Sequence, residues 1–289
     1  MLRFPTTLAI LASFVLVAPG TAQTVELRYN FTEGMDLLYE TVQETRTLMP
    51  QGMGSIEQSQ TQRLRMQVLS VDADGNARIR NTVQSVQMQI QSPMGVQSFD
   101  SEEGSTDPTF APLQALIGAE TEFVIGADGR LTESGGVEAA LEEMMAEMSP
   151  EERATFEQTF TPEALENMVA QSFQHMPDGP VSPGESWEGS FDIPFPFGTM
   201  VTRFVYTLER VADGVAHIEV TGSISTVEAD EDNPMAGMVD FTGGEITGST
   251  EFDLERGIVI ASTNRTEMEM AMMGETLTSV TEIEFRLLP

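Results

Sequence analysis

Alternating apolar and polar residues run through much of this 289-residue chain and are clearest between Thr266 and Leu287. On the first arm of this segment Glu267 and Glu269 alternate with three methionines, Met268, Met270 and Met272. After Met273-Gly274 the alternation returns, and its apolar side carries Leu277, Ile283 and Phe285. A repeat of two residues is the signature of a β-strand with one buried face. The segment is therefore predicted to be an antiparallel hairpin with a methionine-rich buried side.

The same alternation predicts strands upstream. The first covers Val25 to Phe31, and the second runs from Gly34 to Val42. A third strand around Leu64 to Val68 leads into the turn at Asp74-Gly75, and a fourth follows from Ile79 to Ile90. An Asp-Gly pair between two alternating runs favours a hairpin turn.

The second half of the chain repeats landmarks of the first, in the same order. Phe204 to Leu208 matches Leu64 to Val68, and Asp213-Gly214 matches Asp74-Gly75. Later, Thr250-Glu251-Phe252 before Gly257 matches an earlier segment that consists of Thr121-Glu122-Phe123 before Gly129. Ordered repeats of this kind indicate an internal duplication.

Between the halves, the spacing changes to that of amphipathic helices. One apolar face includes Met144 and Met148, and two further starts at Ser149-Pro150 and Thr161-Pro162 carry capping signals. We predict a mainly β (α+β) fold, built as duplicated curved antiparallel sheets or one incomplete β-barrel, with a three-helix insert covering one mouth or edge. The expected divisions are a signal peptide (1–22), an N-terminal β half (23–135), the helical insert (136–179) and a C-terminal β half (180–289).

The first 22 residues predict export. Arg3 precedes an apolar run from Leu8 to Val17, and small residues precede an expected cleavage after Ala22. This run is too short to span a membrane, and we expect no transmembrane segment in the mature chain. The expected location is the periplasm or exterior of a bacterium, and the oligomeric state is left open.

Charge and cysteine content narrow the possible partners and chemistry. The chain has 46 acidic residues against 14 basic ones, a formal charge of −32, and no cysteine. Disulfides, thiolate metal sites and cysteine nucleophiles are therefore excluded. An acidic field of this strength repels nucleic acids and anionic lipid headgroups, so no nucleic acid partner is expected. No cofactor is expected either.

The segment Pro183-Gly184-Glu185-Ser186-Trp187, which contains the only tryptophan, is similar to an element of a known family. Together with the Asp-Gly hairpins and the methionine-rich last hairpin, it resembles uncharacterised exported bacterial proteins with a Gly-Asp/Glu-Ser-Trp element. Glu185 stands where that element often has Asp. The resemblance implies an exported bacterial protein rich in β-structure and implies no particular chemistry.

Candidate catalytic and metal-binding residues have simpler structural interpretations. His175 lies at a predicted helix end, and His217 lies on the polar side of a predicted strand. No Gly-x-Ser-x-Gly motif occurs. Asp230 and Asp232 are candidate calcium ligands, but their loop lacks the glycine of a calcium-binding loop, and a solvated loop is the preferred interpretation.

The methionine stripe supports three interpretations: soft ligands for Cu(I), ordinary core packing, or the lining of a deformable apolar cavity. Ser262, Asn264 and Thr266 continue the face of Met268, which indicates either a polar end of that cavity or a bulge that changes register. Our function hypothesis is a non-enzymatic exported protein that holds an apolar small molecule or lipid. The predicted cavity lining comprises Trp187, Phe204, Tyr206, Met268, Met270, Met272, Leu277, Phe285, Met144 and Met148.

Two alternatives stay open. One is a structural or protein-interaction module of the cell envelope, with a packed core and no ligand. An exposed apolar patch or an open sheet edge would favour that module. The other is a hydrolase with two facing carboxylates.

Overall fold

A computed structural model describes residues 24–50, 54–104, 110, 113–114, 116–135, 145, 153, 173, 176–195, 198–228, 239–272 and 275–289. Within these residues the chain forms one sheet of twelve antiparallel strands. The strands are β1 Asp36–Leu48, β2 Ser55–Val71, β3 Ala77–Ser92, β4 Gly95–Asp100, β5 Glu120–Ile125, β6 Leu131–Gly135, β7 Ser186–Phe195, β8 Gly198–Ala212, β9 Val215–Glu228, β10 Val239–Asp253, β11 Ile258–Met272 and β12 Glu275–Leu287. The predicted β-rich class is confirmed.

The strand order is β6-β5-β3-β2-β1-β12-β11-β10-β9-β8-β7, with β4 also paired to β3. Strand β12 joins the halves, because it pairs with β11 on one side and with β1 on the other. The prediction of two separate sheets is therefore wrong, and the chain has one open sheet whose order ends at β6 and β7. None of the elements formed by the described residues is a helix, and the predicted three-helix insert lies almost entirely outside them.

The sheet is strongly curved. Phe123 on β5 and Phe252 on β10 lie six strand spacings apart, or roughly 29 Å in a flat sheet. Yet only two rings separate them. Phe123 contacts Phe173 with centroids 5.5 Å apart, Phe173 contacts Tyr29 at 5.7 Å, and Tyr29 contacts Phe252 at 5.8 Å. Three such contacts cannot span a flat sheet of that width, so the sheet curls around a shared core.

The segment from Val25 to Phe31 fills that core instead of forming the predicted first strand. Val25, Leu27, Tyr29 and Phe31 are all buried, as the alternation implies. However, the segment makes a single isolated bridge, from Val25 to Val181, and two further backbone bonds to turns, at Ala127 and Gly257. Its polar side faces solvent while its apolar side packs on the sheet, which gives the same period of two without a strand partner.

The two halves contain matching backbone hydrogen bonds. Gly34 N–H donates to the Val68 carbonyl and Gly184 N–H to the Leu208 carbonyl, at 2.9 and 2.7 Å. The register shifts directly after Val68 and after Leu208. Ala77 is opposite Ile125, and the corresponding Ala216 is opposite Phe252. If the two halves are superposed on these pairings, Phe252 corresponds to Ile125. The sequence pattern instead matched Phe252 with Phe123, so the two alignments differ by two residues. The duplication itself stays a prediction.

Each strand of the sheet presents two faces of different composition. We call the face that carries Leu37 and Tyr39 the inner face, because it forms the buried core. The face that carries Glu40 is the outer face. A smaller core of Val86, Phe99 and Phe110 covers the inner face beside β3. No described helix is long and apolar enough to cross a membrane.

Candidate functional site

The four central strands β2, β1, β12 and β11 carry nearly all of their charged side chains on one face. Their registers place these charged residues on the outer face: Asp36, Glu40, Glu44, Arg46, Glu57, Arg63, Arg65, Arg265, Glu267, Glu269, Glu282, Glu284 and Arg286. On the inner face of the same described strands, apart from Glu275 beside the last turn, no side chain is charged. A side chain's face follows from its parity in the strand, so the sequence encodes this asymmetry directly.

Three of the predicted cavity residues form an aromatic cluster on the inner face of β7 and β8. Trp187 stacks on Tyr206 with ring centroids 5.6 Å apart, and Tyr206 stacks on Phe204 at 5.8 Å. Phe204 also contacts Phe191 at 5.4 Å. Tyr206 is buried and this burial raises the pKa of its phenol to about 12. Trp187 and Phe204 are half-buried and complete an apolar surface at this side of the sheet.

The methionine pair Met268 and Met270 also lies on the inner face, half-buried, on β11. Met268 is opposite Ser279 and Met270 is opposite Leu277. On the neighbouring strand β10, Gly244 is opposite Met268 and leaves room for its side chain, since a Cβ built on this glycine would lie 3.2 Å from the Met268 Cγ. The side chain of Met272, and all of Met144 and Met148, lie outside the described part of the chain.

Phe285 belongs to the packed core. Its ring stacks on Tyr39 with centroids 4.6 Å apart. The Tyr39 hydroxyl donates a hydrogen bond of 3.1 Å to the Val259 carbonyl. Burial raises the pKa of this phenol. The predicted residues thus separate into two groups. Tyr206, Trp187, Phe204 and Phe285 belong to the main core or pack against it, whereas Met268, Met270 and Leu277 lie outside it.

Between the methionine pair and the small core at β3 lies a set of uncharged polar side chains, which we call the polar strip. Its members on the inner face are Gln58, Gln60, Gln62, Thr41, Gln43, Thr45, Thr47, Ser279, Thr281, Ser262, Asn264 and Thr266. From residue 261 to 272 strand β11 pairs with β12 without a register shift. The polar continuation of the Met268 face is therefore confirmed over the alternative of a bulge. Sequence analysis missed the strip on β1 and β2, where both faces are polar and parity alone does not identify the inner side.

The outer face is a network of ion pairs. Glu40 is buried between Arg63 and Arg286, and each Arg Nε lies 3.0 Å from one carboxylate oxygen. The hydrogen bonds of Arg286 and then of Arg63 hold the pKa of Glu40 below its usual value. His217 is half-buried on this face, with its Nδ1 3.4 Å from Glu251. These contacts give the outer face a structural role.

Two clefts among the described residues lie elsewhere. One, of about 620 Å³, is lined by Asp36, Arg65, Arg256 and the last residues of the chain. The other, of about 530 Å³, lies mainly among outer-face side chains such as Glu44, Arg46 and Glu282. Neither includes a predicted cavity residue. The inner face of the central strands is a half-exposed surface in the part of the chain that the structure describes.

The turn predicted at Asp74-Gly75 is held by the side chain of Asp72. Asp72 Oδ1 accepts hydrogen bonds from the backbone N–H groups of Asp74 and Asn76, both at 2.9 Å, which is the bonding of an Asx turn. The described residues contain no group of three potential ligands. Asp230, Asp232 and His175 lie outside the described residues.

Comparison with solved structures finds likeness of fold. A structure entitled "Lipid-protein interactions in lipovitellin" matches 90% of this chain at a TM-score of 0.50 and 9% identity. The match spans only 25% of the lipovitellin chain. DynF from the dynemicin biosynthesis pathway of Micromonospora chersina aligns over 93% of this chain and 85% of its own, at 8% identity and a TM-score of 0.22.

Sequence comparisons identify a family without naming an activity. A search of curated proteins finds no match. The model of a family of unknown function, DUF6263, matches residues 74–259, from the β2–β3 turn to the start of β11. This confirms the expected membership of an uncharacterised family. Because the match covers more than half of the sequence, the chain belongs to the DUF6263 family.

Proposed function

We propose that this protein is an exported, non-enzymatic binder that holds an apolar small molecule or lipid against the inner face of its curved sheet. The ligand's apolar part lies on the aromatic cluster and on the methionine pair. The protein acts by keeping the ligand out of water.

The observation that carries this proposal is the difference in charge between the two faces of the central strands. Both faces are partly exposed, and the chain is rich in acidic residues. A face that met only water would tolerate charge as readily as the outer face does. Among the described residues, the inner face carries no charged side chain along β1, β2 and β11. On β12 it carries none between Leu277 and Leu287. An occupant that cannot solvate charge accounts for this difference.

The side chains available on the inner face suit an apolar occupant. Met268 and Met270 are unbranched and polarizable, so they adapt to ligands of different shape. Phe204 on β8 and Trp187 on β7, three and four strands further along the sheet, add flat apolar surface on the same face. Burying such half-exposed area under a ligand is favourable by about 25 cal/mol per Å² of apolar surface removed from water. Lipovitellin, whose title names lipid–protein interactions, shares the fold, and at 9% identity this likeness carries no functional argument.

The test is uptake of Nile red, a neutral dye that fluoresces in apolar surroundings. We expect saturable binding that falls about tenfold in the Met270→Glu variant, because the new carboxylate must be desolvated under the ligand. The matched control is Thr276→Glu, an exposed outer-face position near the same turn, which we expect to bind as the native protein does. Unsaturable fluorescence, or equal losses in both variants, would refute the proposal.

The open sheet edges favour a second candidate, an interaction module of the envelope. Strand β7 pairs only with β8 within the described residues, so its other edge is available to a strand of another protein. Pro194, near the end of β7, lacks an N–H group and limits such pairing to the earlier part of the strand. Absence of ligand uptake together with cross-linking of a partner to β7 would favour this alternative.

A further inference from the structure

The inner face is amphiphilic across its strands, and this pattern specifies the ligand further. One row that crosses the sheet runs from Gln60 on β2 through Gln43, Ile283 and Asn264 to Tyr206 on β8. Hydrogen-bonding side chains are concentrated on the β2 and β1 side of this row. Aromatic rings close its other end. A ligand that lies along the row meets amides first and rings last.

The polar strip has hydrogen-bonding capacity to spare. Thr45 shares a hydrogen bond with Thr281 at 3.1 Å and Thr47 shares one with Ser279 at 3.3 Å. Each hydroxyl keeps at least one free hydrogen-bonding site, either a lone pair or its hydrogen, and each glutamine amide has two donors and two acceptor sites in total. Gln43 uses only one of its donors in the described contacts, toward Thr45 at 3.4 Å. The strip can therefore both donate to and accept from a ligand's oxygen atoms.

The strip offers no counter-charge to a charged headgroup. The chain has no lysine, and every described arginine on the central strands lies on the outer face. A carboxylate or phosphate placed on the strip would lose hydration without gaining a counter-charge. The large negative charge of the whole protein adds repulsion. A cationic headgroup would find no carboxylate on the strip either, because the acidic residues beside the strip lie on the outer face.

We propose, building on the function proposed above, that the ligand is a neutral amphiphile. Its head carries several hydroxyl, ester or glycosidic oxygens, as in an acylglycerol or a glycolipid, and lies against the polar strip at Gln43 and Gln60. Its hydrocarbon continues along the same row past Ile283 toward Tyr206 and the aromatic cluster. Uncharged lipids of this class bind in preference to fatty acids and phospholipids of the same chain length.

The test compares ligands that share one oleoyl chain and differ in the head: monooleoylglycerol, oleate and lysophosphatidylglycerol. Their displacement of Nile red from the full chain is measured at pH 8. We expect monooleoylglycerol to bind at least about tenfold more tightly than either anion. The Gln60→Arg variant supplies the missing cation and is expected to narrow that preference to about threefold or less. Gln89→Arg, an exposed outer-face change on β3, is the matched control and keeps the native preference.

The outcomes separate the two proposals. If oleate or lysophosphatidylglycerol binds as tightly as monooleoylglycerol, the neutral-ligand inference is overturned while lipid binding stands. If Gln89→Arg shifts the preference as much as Gln60→Arg, the position of the head on the polar strip is wrong. If none of the three lipids and no Nile red binds, both the inference and the proposed function fail. If Gln60→Arg does not fold, the ranking of the three lipids on the native protein still decides.

Discussion

Replacement of Glu40 by glutamine tests how the curved sheet is held at its centre. Glu40 lies on β1, with Arg63 of β2 and Arg286 of β12 directly opposite on either side. Its side chain is 6% exposed, whereas those of Arg63 and Arg286 are 47% and 61% exposed. One carboxylate thus links three central strands, including the β1–β12 pair that joins the two halves of the chain.

The expected loss in the free energy of unfolding at pH 7 is about 2 kcal/mol. Removing one partner of a fully buried ion pair costs roughly 3–5 kcal/mol, and an exposed pair contributes about 0–1 kcal/mol. The expected cost of Glu40→Gln lies between these values. The guanidinium groups of Arg63 and Arg286 are half-exposed, so water solvates them when the carboxylate charge is lost. The matched control is Glu284→Gln on the outer face of β12, which is exposed, and we expect a change within about 0.5 kcal/mol.

The effect depends on pH with a definite sign. The two arginines lower the pKa of Glu40 in the folded state, so its stabilising contribution is present above the unfolded-state pKa of about 4.3. The contribution is lost as the pH falls through the lower folded-state pKa. Urea unfolding of native, Glu40→Gln and Glu284→Gln proteins at pH 7 and at pH 3 measures both terms. An equal loss in the two variants at pH 7, or an undiminished Glu40→Gln effect at pH 3, would refute this reasoning.

Three further predictions concern packing and ionisation. Leu208→Ala, at a fully buried position, lowers the free energy of unfolding by about 3 kcal/mol in urea titrations, whereas exposed Val205→Ala changes it by under about 0.5 kcal/mol; equal effects would contradict the core assignment. Gly248→Ala destabilises by about 2 kcal/mol or more, because its Cβ would clash with the Thr263 carbonyl oxygen on the neighbouring strand. An unchanged melting temperature would contradict the β10–β11 register. Because burial raises the pKa of Tyr206 to about 12, stability is full below pH 10 and falls as the pH rises above it; phenolate absorbance of Tyr206 that precedes the loss of circular dichroism would contradict its burial.

Local pattern predicts the strands and turns of this chain well. The last hairpin, β11 and β12, follows the alternation residue by residue, and Asp74-Gly75 and Asp213-Gly214 are turns. Gly75 and Gly214 have φ of 85° and 80°, which glycine adopts at low cost. Both signals act over a few residues, where backbone sterics and side-chain parity decide the conformation.

Pairing between distant strands is not encoded in local pattern. Strand β12 pairs with β1 over registers such as Thr41 with Phe285, and no periodicity specifies which remote strand is the neighbour. The same limit explains the error at Val25 to Phe31, where an alternating segment packs on a sheet without joining it. Burial on one side gives a period of two in either case.

The candidate site was half visible in the sequence for the same reason. The methionine pair stood out because it alternates with Glu267 and Glu269, and Phe204 and Tyr206 stood out because Arg203 and Thr207 flank them. The polar strip on β1 and β2 did not, because Gln60 and Gln62 alternate with Ser59 and Thr61, which are equally polar. Only the pairing of Thr41 with Gln62 and of Gln43 with Gln60 places these side chains on the inner face.

The most direct test of ligand binding is the mass of the protein as it exists in its own host. Native mass spectrometry of the gently purified protein, followed by organic extraction, detects any bound small molecule and identifies it. We expect a stoichiometric, uncharged lipid that is released on unfolding. A single mass equal to that of the polypeptide alone, with no lipid in the extract, would contradict the account.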